Sequence, residues 1–182
     1  TSHSIKAVLA CQNETATGVT SNIEGVRKVL DKVGHPALLF VDSVSALASV
    51  DFRFDDWKVD MCVTGSQKGL MLPAGLGILC VSEKALSLTE SAGLKRDYFD
   101  LDQMLNANKT GYFPYTPALP LFYGLKEALA VIEEEGLDNI IAVAMSDAVL
   151  VAKRDRAQDV KQVVKNLKKI NVPQEETFPK DH

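Results

Sequence analysis

Ala37-Leu38-Leu39-Phe40-Val41-Asp42 is an unbroken apolar run that ends on a carboxylate. Apolar residues at every position, rather than at every second one, mark a strand buried on both faces. His35-Pro36 breaks the chain just before it, and Ile5 to Cys11 is an earlier run of the same kind. Between the two runs lie a polar loop, Gln12 to Gly18, and a helical pattern. Ser21 and Glu24 have capping-box spacing, Ile23, Val26, Leu30 and Val33 recur at helical intervals, and Gly34 stops them. Strand, helix and strand, with both strands apolar throughout, predict an α/β fold with a mostly parallel sheet and helices on both faces. Asp42 then stands at the carboxyl end of a strand.

The pattern continues downstream. Met61 to Thr64 and Leu76 to Val81 read as further strands, with Gly65 to Gly75 as the loop between them. Ser82 is placed to cap a brief helix through Ala85 and Leu88, while Thr89 to Thr110 shows too little periodicity to assign. Trp57, in Phe54-Asp55-Asp56-Trp57, reads as a packing residue before the 61–64 strand. Thr116 followed by Pro117 predicts a helix start, the hydroxyl capping free amides and the proline occupying the first turn. Phe122, Leu125, Leu129 and Ile132 form its apolar stripe and Gly136 its end; a second helix is expected from Asp138 onward. From Val151 eight Lys and Arg face five acids, and Val160, Val163, Val164 and Leu167 can share a helical face. A solvated surface helix explains that tail better than a nucleic-acid contact, and Pro173 to His182 is expected to fray.

Composition narrows the classes. A formal net charge of -4 with 46% hydrophobic and 24% charged residues is that of an ordinary globular protein. No apolar run reaches the roughly 18 residues of a membrane span. Thr1-Ser2-His3-Ser4 has neither an initiator Met nor a signal-peptide pattern, so the reading is of a chain that begins inside a longer protein. Cys11, Cys62 and Cys80 are odd in number, sit in strand-like surroundings and lack zinc-site spacing, which predicts buried thiols in a reducing compartment and no metal site. His3, His35 and His182 are scattered, so no Ser-His-Asp triad can be assembled from neighbours.

Asp42 and Lys68 lie 26 positions apart, one ending a predicted strand and the other just beyond the next. In a parallel sheet both strand ends open at one edge, where α/β folds bind ligands. A carboxylate and an amine held there suit a pyridoxal cofactor. The amine forms an imine link to its aldehyde, and the carboxylate keeps the pyridine nitrogen protonated so that the ring accepts electrons. Alone, an Asp at a strand end and a Lys in a loop are more often a cap and a solvated charge. Ser66-Gln67-Lys68-Gly69 adds hydrogen-bond donors beside the amine that could serve an anion such as a phosphate.

Four motifs carry a resemblance: Asn13-Glu14-Thr15-Ala16-Thr17-Gly18-Val19, Leu39-Phe40-Val41-Asp42-Ser43-Val44-Ser45, Thr64-Gly65-Ser66-Gln67-Lys68-Gly69-Leu70 and Tyr115-Thr116-Pro117. In this order, over about Ile5 to Ala142, they resemble the serine–glyoxylate and alanine–glyoxylate aminotransferases, the plant photorespiratory type above all. The resemblance implies part of the fold-type I large domain over residues 1–142 and a divergent helical and frayed tail over 143–182. It implies pyridoxal 5'-phosphate as cofactor, amino-acid and 2-oxo-acid substrates, a homodimer and a peroxisomal setting, with no nucleic-acid or membrane partner. Lys68 takes the covalent cofactor position and Asp42 the contact to the ring nitrogen. Gln67 falls at a phosphate contact, Thr15 at a hydroxyl beside the cofactor, and Thr116 at a contact to the phosphate of the neighbouring subunit. Thr15 and Thr17 could instead bind their own loop backbone.

The family pattern is incomplete in this chain. The glycine loop and stacking aromatic expected before Thr1, and the substrate-binding Arg of a C-terminal domain, are not among these residues; nor is a small-basic-Leu peroxisomal address at Pro179-Lys180-Asp181-His182. The chain alone is therefore expected to be inactive. Two alternatives stand beside the aminotransferase: a catalytically silent fragment docked on a full-length subunit, and a cysteine desulfurase-like lyase. The lyase reading is disfavoured, because this chain has no Cys in a flexible glycine-rich loop where a desulfurase would carry its persulfide.

Overall fold

A computed structural model describes residues 4–136, 140–144 and 149–153. In chain order the elements are β1 (Ala7–Cys11), β2 (Asn13–Glu14), β3 (Val19–Thr20), α1 (Ile23–Lys32), β4 (Leu38–Asp42), β5 (Met61–Gly65), β6 (Gly77–Val81), α2 (Glu83–Leu86), α3 (Leu101–Asn108), α4 (Leu119–Glu135), β7 (Ile140–Ala144) and β8 (Val149–Lys153). The main sheet has the order β1-β4-β5-β6. β1, β4 and β5 are parallel, as the two apolar runs separated by a helix require; β6 returns antiparallel after the loop from Ser66 to Leu76.

Strand alternation divides the side chains between two faces. On one, Ile23 and Leu30 of α1 pack with Leu39, Val41, Val59 and Cys62, flanked by Val8, Ala10, Phe52, Phe54 and Trp57. Trp57 is the packing residue expected, set edge-on against Phe52 at 5.8 Å. On the other face Leu9 (78% exposed), Val63 and Leu79 remain open among the described residues. Helix α1 is capped by Asn22, whose Oδ1 accepts from Gly25 N at 2.8 Å, and not by the expected Ser21. The helix starts one residue later than the Ser21 reading implies, and Val33 at its end is exposed.

Asp60, 3% exposed and just ahead of β5, ties the layers together. Its Oδ2 accepts from Leu39 N at 2.8 Å and its Oδ1 from Ser82 Oγ at 3.1 Å. Its backbone exchanges bonds with Leu39 O and Ser82 N. The Arg27 guanidinium of α1 stands 3.7 Å from Oδ2 and Lys84 of α2 stands 3.6 Å from it. Arg27 Nε is also 2.9 Å from Asp31 Oδ1, an ion pair one turn along α1. Ser82 caps α2 as expected, accepting from Ala85 N at 3.1 Å.

A second core forms where Leu70 and Leu72 meet α4. The buried stripe of α4 is Leu121, Leu125, Ala128 and Ile132, rotated from the expected Phe122, Leu125, Leu129 and Ile132; Leu129 is exposed. Small residues decide the rotation: a Cβ on Gly124 would stand 2.6 Å from Leu72 Cδ2, so the loop approaches the helix on its Gly124 and Ala128 side. Phe122 instead stacks on Phe113. Helix α3, within the unassigned stretch, is capped by Asp100 through Gln103 N and buries no residue, which explains its weak pattern.

The helix expected from Asp138 onward is corrected: residues 140–144 and 149–153 pair as an antiparallel hairpin. Ile140-Ile141-Ala142-Val143 and Val149-Leu150-Val151 are rich in β-branched residues, which outweigh helical spacing. The basic tail beyond 153, with its expected helix and frayed end, lies outside the described residues, as do His3 and His182. The three cysteines lie on strands, but only Cys62 is buried; Cys11 is half-buried and Cys80 exposed at the sheet edge.

Two predictions follow from this packing. Asp60→Ala leaves the buried Arg27 with only the half-exposed Asp31 as counter-charge and orphans the buried Leu39 N, so it should lower unfolding stability by about 3 kcal/mol in urea titrations. Lys84→Ala, removing a half-exposed partner, should cost less than about 1 kcal/mol. Equal losses would refute a central role for Asp60. Burial, chiefly, pushes the Cys62 thiol up to about 12, with the charges of Cys80 and Asp42 adding to it. An unfolded thiol ionises near 9, so this group's contribution to stability is lost as pH rises from about 9 towards 12. Iodoacetamide at pH 8 should spare Cys62 in the native protein, and peptide mapping showing it modified as fast as Cys80 would contradict that.

Candidate active site

Parallel register decides where the chemistry gathers. Cys11 aligns with Asp42, and Asp42 with Val63, so β1, β4 and β5 end at the same edge. The loops carrying Thr15, Asp42 and Lys68 leave the sheet from that edge together.

Asp42 is exposed, and Val44 N donates to its Oδ1 at 2.9 Å, an Asx turn that holds one carboxylate oxygen. Beside it an open groove of about 420 Å³ runs over the uncovered face, lined by Cys11, Leu9, Phe40, Met61 and Val63 as well as Asp42. Burial first, then the charges of Asp42 and Glu14, raise the Cys11 thiol above its ordinary value. That thiol donates to Asn13 O at 3.3 Å and is a neutral wall of the groove.

Beneath Asp42 the polar groups are matched one to one. Gln12 N donates to Asp42 O at 2.9 Å, Ser43 Oγ to Gln12 Oε1 at 2.8 Å, and Gln12 Nε2 to Asp51 O at 2.8 Å. Ser43 N donates to Val63 O at 2.9 Å. Asn13 Nδ2 donates to Ser45 Oγ at 3.2 Å, and Ser45 Oγ to Asn13 O at 2.7 Å, which joins the loop after β1 to the loop after β4. Sequence reasoning treated Gln12 as the first residue of a polar loop; the one available signal was a long amide directly following a buried strand.

Lys68 sits half-buried in the turn that follows β5, its carbonyl accepting from Met71 N at 2.9 Å. The loop around it is stapled by Ser66, which is fully buried. Ser66 N donates to Leu76 O at 3.1 Å, its Oγ donates to Pro73 O at 2.7 Å and accepts from Leu76 N at 3.1 Å, and its carbonyl accepts from Leu72 N at 3.1 Å. This corrects the reading of Ser66 as a donor to an anion, because its hydroxyl is consumed in closing the loop. Gln67 is half-buried and folds over Gly65, where a Cβ would stand 2.7 Å from Gln67 Oε1.

Thr15 is exposed in the turn between β2 and β3, a short hairpin where a loop was expected. Glu14 organises that turn: its carbonyl accepts from Gly18 N at 2.7 Å and its Oε1 from Ala16 N at 3.1 Å. Thr17, not Thr15, is the hydroxyl that binds its own loop, accepting from Val19 N at 3.4 Å. Thr116 is exposed and does not cap α4; the cap position is Ala118, without a side-chain bond, and Pro120 rather than Pro117 occupies the first turn. With proline amides absent at both positions, the helix begins at the later one, whose missing N–H it does not need. Thr116 lies just ahead of α4, and α4 packs on the Lys68 loop at Leu70 and Leu72. Among the described residues no group of three His, Cys, Asp or Glu side chains forms a metal cage.

The family model "Aminotransferase class-V" matches residues 1–172. A serine–glyoxylate aminotransferase of Methylorubrum extorquens is 61% identical over 143 residues, 76% of this chain and 36% of that protein. The Arabidopsis thaliana serine–glyoxylate aminotransferase is 54% identical over 141 residues, 77% of this chain and 35% of its own length. Among solved structures, alanine–glyoxylate aminotransferase from Nostoc sp. superposes with a TM-score of 0.65 at 26% identity, covering 91% of this chain and 51% of that one. The chain spans about a third of the length of these curated relatives. The architecture is that of fold-type I pyridoxal-phosphate aminotransferases.

Ser66→Ala removes one donor and one acceptor from a buried site, a loss of about 1–3 kcal/mol. It should loosen the 66–76 loop more than the sheet, seen as faster amide exchange at Leu72 and Leu76 with that at Leu39 unchanged. Uniform exchange across all three would show that Ser66 is no local staple.

Proposed function

This chain belongs to the class-V aminotransferase family, and on that premise we propose that it holds pyridoxal phosphate through Lys68 and Asp42 in an enzyme that passes the amino group of serine or alanine to glyoxylate. One observation carries the reading: Asp42 and Lys68 leave adjacent parallel strands at the same edge, each on a loop pinned by buried hydrogen bonds. The groove ending at Asp42 gives a flat ring an apolar bed, and the exposed carboxylate offers its nitrogen an acceptor. The cofactor, when bound, supplies the electron sink.

In this reading Lys68 would anchor the cofactor covalently and would be the base that moves a proton on the substrate carbon. Asp42 keeps the ring nitrogen protonated. Gln67, beside Lys68, is assigned to the phosphate, Thr15 to a hydroxyl contact at the cofactor, and Thr116 to the phosphate of a second subunit in a homodimer. The choice of serine or alanine as donor, and of glyoxylate as acceptor, follows the names of the relatives. A photorespiratory, peroxisomal setting belongs to the same proposal, and a serine–glyoxylate aminotransferase of Arabidopsis thaliana among the relatives is compatible with it.

In a complete, cofactor-loaded enzyme that carries this segment, borohydride reduction followed by peptide mapping should place a pyridoxyl group on Lys68, and Lys68→Ala should lower serine–glyoxylate turnover by roughly a thousandfold or more. A label on Lys58 or Lys84, or turnover that survives the substitution, overturns the assignment.

A further inference from the structure

We propose that Gln12 is a positioning residue that aims the Asp42 carboxylate at the cofactor site, through the hydrogen bonds it makes to residues 42, 43 and 51. The proposal rests on the reading of Asp42 as the cofactor's ring-nitrogen partner. Gln12 is 2% exposed and Ser43 0%, yet Asp42 between them in the network is exposed. Among the described residues the carboxylate itself is held only locally, by Val44 N, so its direction is set by the backbone of 42–44.

That backbone is fixed largely from Gln12. Its N–H takes the Asp42 carbonyl at 2.9 Å, and its Oε1 takes the Ser43 hydroxyl at 2.8 Å. Its Nε2 donates at 2.8 Å to the Asp51 carbonyl, at the far end of the turn that begins at Ser43. One side chain therefore spans both ends of the loop. Ser43 is clamped further by Val63 O, which takes its N–H at 2.9 Å, and by Thr64 Oγ1, which donates to its carbonyl at 3.4 Å. These two bonds tie the same residue to β5, the strand that leads to Lys68.

The chemistry demands a side chain that accepts on one side and donates on the other, as an amide does. The site offers a hydroxyl to be accepted and a carbonyl to be donated to, on opposite sides of one buried group. A carboxylate could not donate to Asp51 O, and an apolar isostere would leave both the Ser43 hydroxyl and the Asp51 carbonyl unpartnered. A buried polar network with every member matched holds a single geometry, and a carboxylate must be within about half an ångström of its productive position to serve a bound ring.

The test is a double-mutant cycle on pyridoxal phosphate affinity in the holoprotein, using Gln12→Met, Asp42→Asn and their combination, with thermal melts alongside. If Gln12 acts through Asp42, Gln12→Met weakens cofactor binding by about tenfold, the worth of one good hydrogen bond, but by less than about twofold once Asp42 is Asn. Ser43→Ala removes one bond of the network and should give the same pattern with a smaller factor, about threefold, should Gln12→Met fold poorly. The same factor in both backgrounds means Gln12 only supports the fold and overturns the proposal, while the Asp42 assignment stands. An Asp42→Asn protein that binds cofactor like the parent brings down both.

Discussion

Leu39 and Asp60 exchange hydrogen bonds in both directions, backbone to backbone and amide to carboxylate, and the register of β4 against β5 hangs on that exchange. Slide it by one residue and every side chain of β5 changes face. Asp42 would then no longer align with Val63, and Lys68 would leave the edge at a different height. A buried carboxylate is an expensive way to fix a register, since removing it from water costs several kcal/mol before Arg27 and Lys84 offset it. Its value is specificity: an apolar residue at position 60 could pack, but it could not choose one alignment among several.

From that alignment the site inherits its rigidity. Gln12 and Ser43 fix the loop after β4, and Ser66 fixes the loop after β5; all three are buried polar residues within two positions of a strand end. The exposed groups, Asp42 and Thr15, stand on this buried layer. A reacting constellation gains from such support because geometry set in advance need not be ordered when the ligand arrives. The groove beside Asp42 remains broad and apolar because no described helix closes that face of the sheet.

Periodicity made the parallel strands and α1 legible, and a carboxylate ending one strand with an amine beyond the next pointed to the edge where they meet. What could not be read were choices settled by tertiary contact. Asn22 rather than Ser21 caps α1, and the face of α4 is set by Gly124 against Leu72, neither of which leaves a periodic trace. The hairpin at 140–153 has β-branched residues at spacings that a helix could also use. Ser66 looked like a donor because a sequence shows which groups a residue carries but not which of them its own loop consumes. Asp60 stood out in no pattern, being one acid among many until its surroundings were known.

The central claim, that Asp42 holds the proton on the cofactor's ring nitrogen, is open to direct observation. Magnetic resonance of the holoprotein loaded with pyridoxal phosphate labelled at that nitrogen reports its protonation state. The account predicts a protonated nitrogen in the parent protein at neutral pH and an unprotonated one in Asp42→Asn, with the covalent link at Lys68 intact in both. The same signal from the two proteins would contradict it.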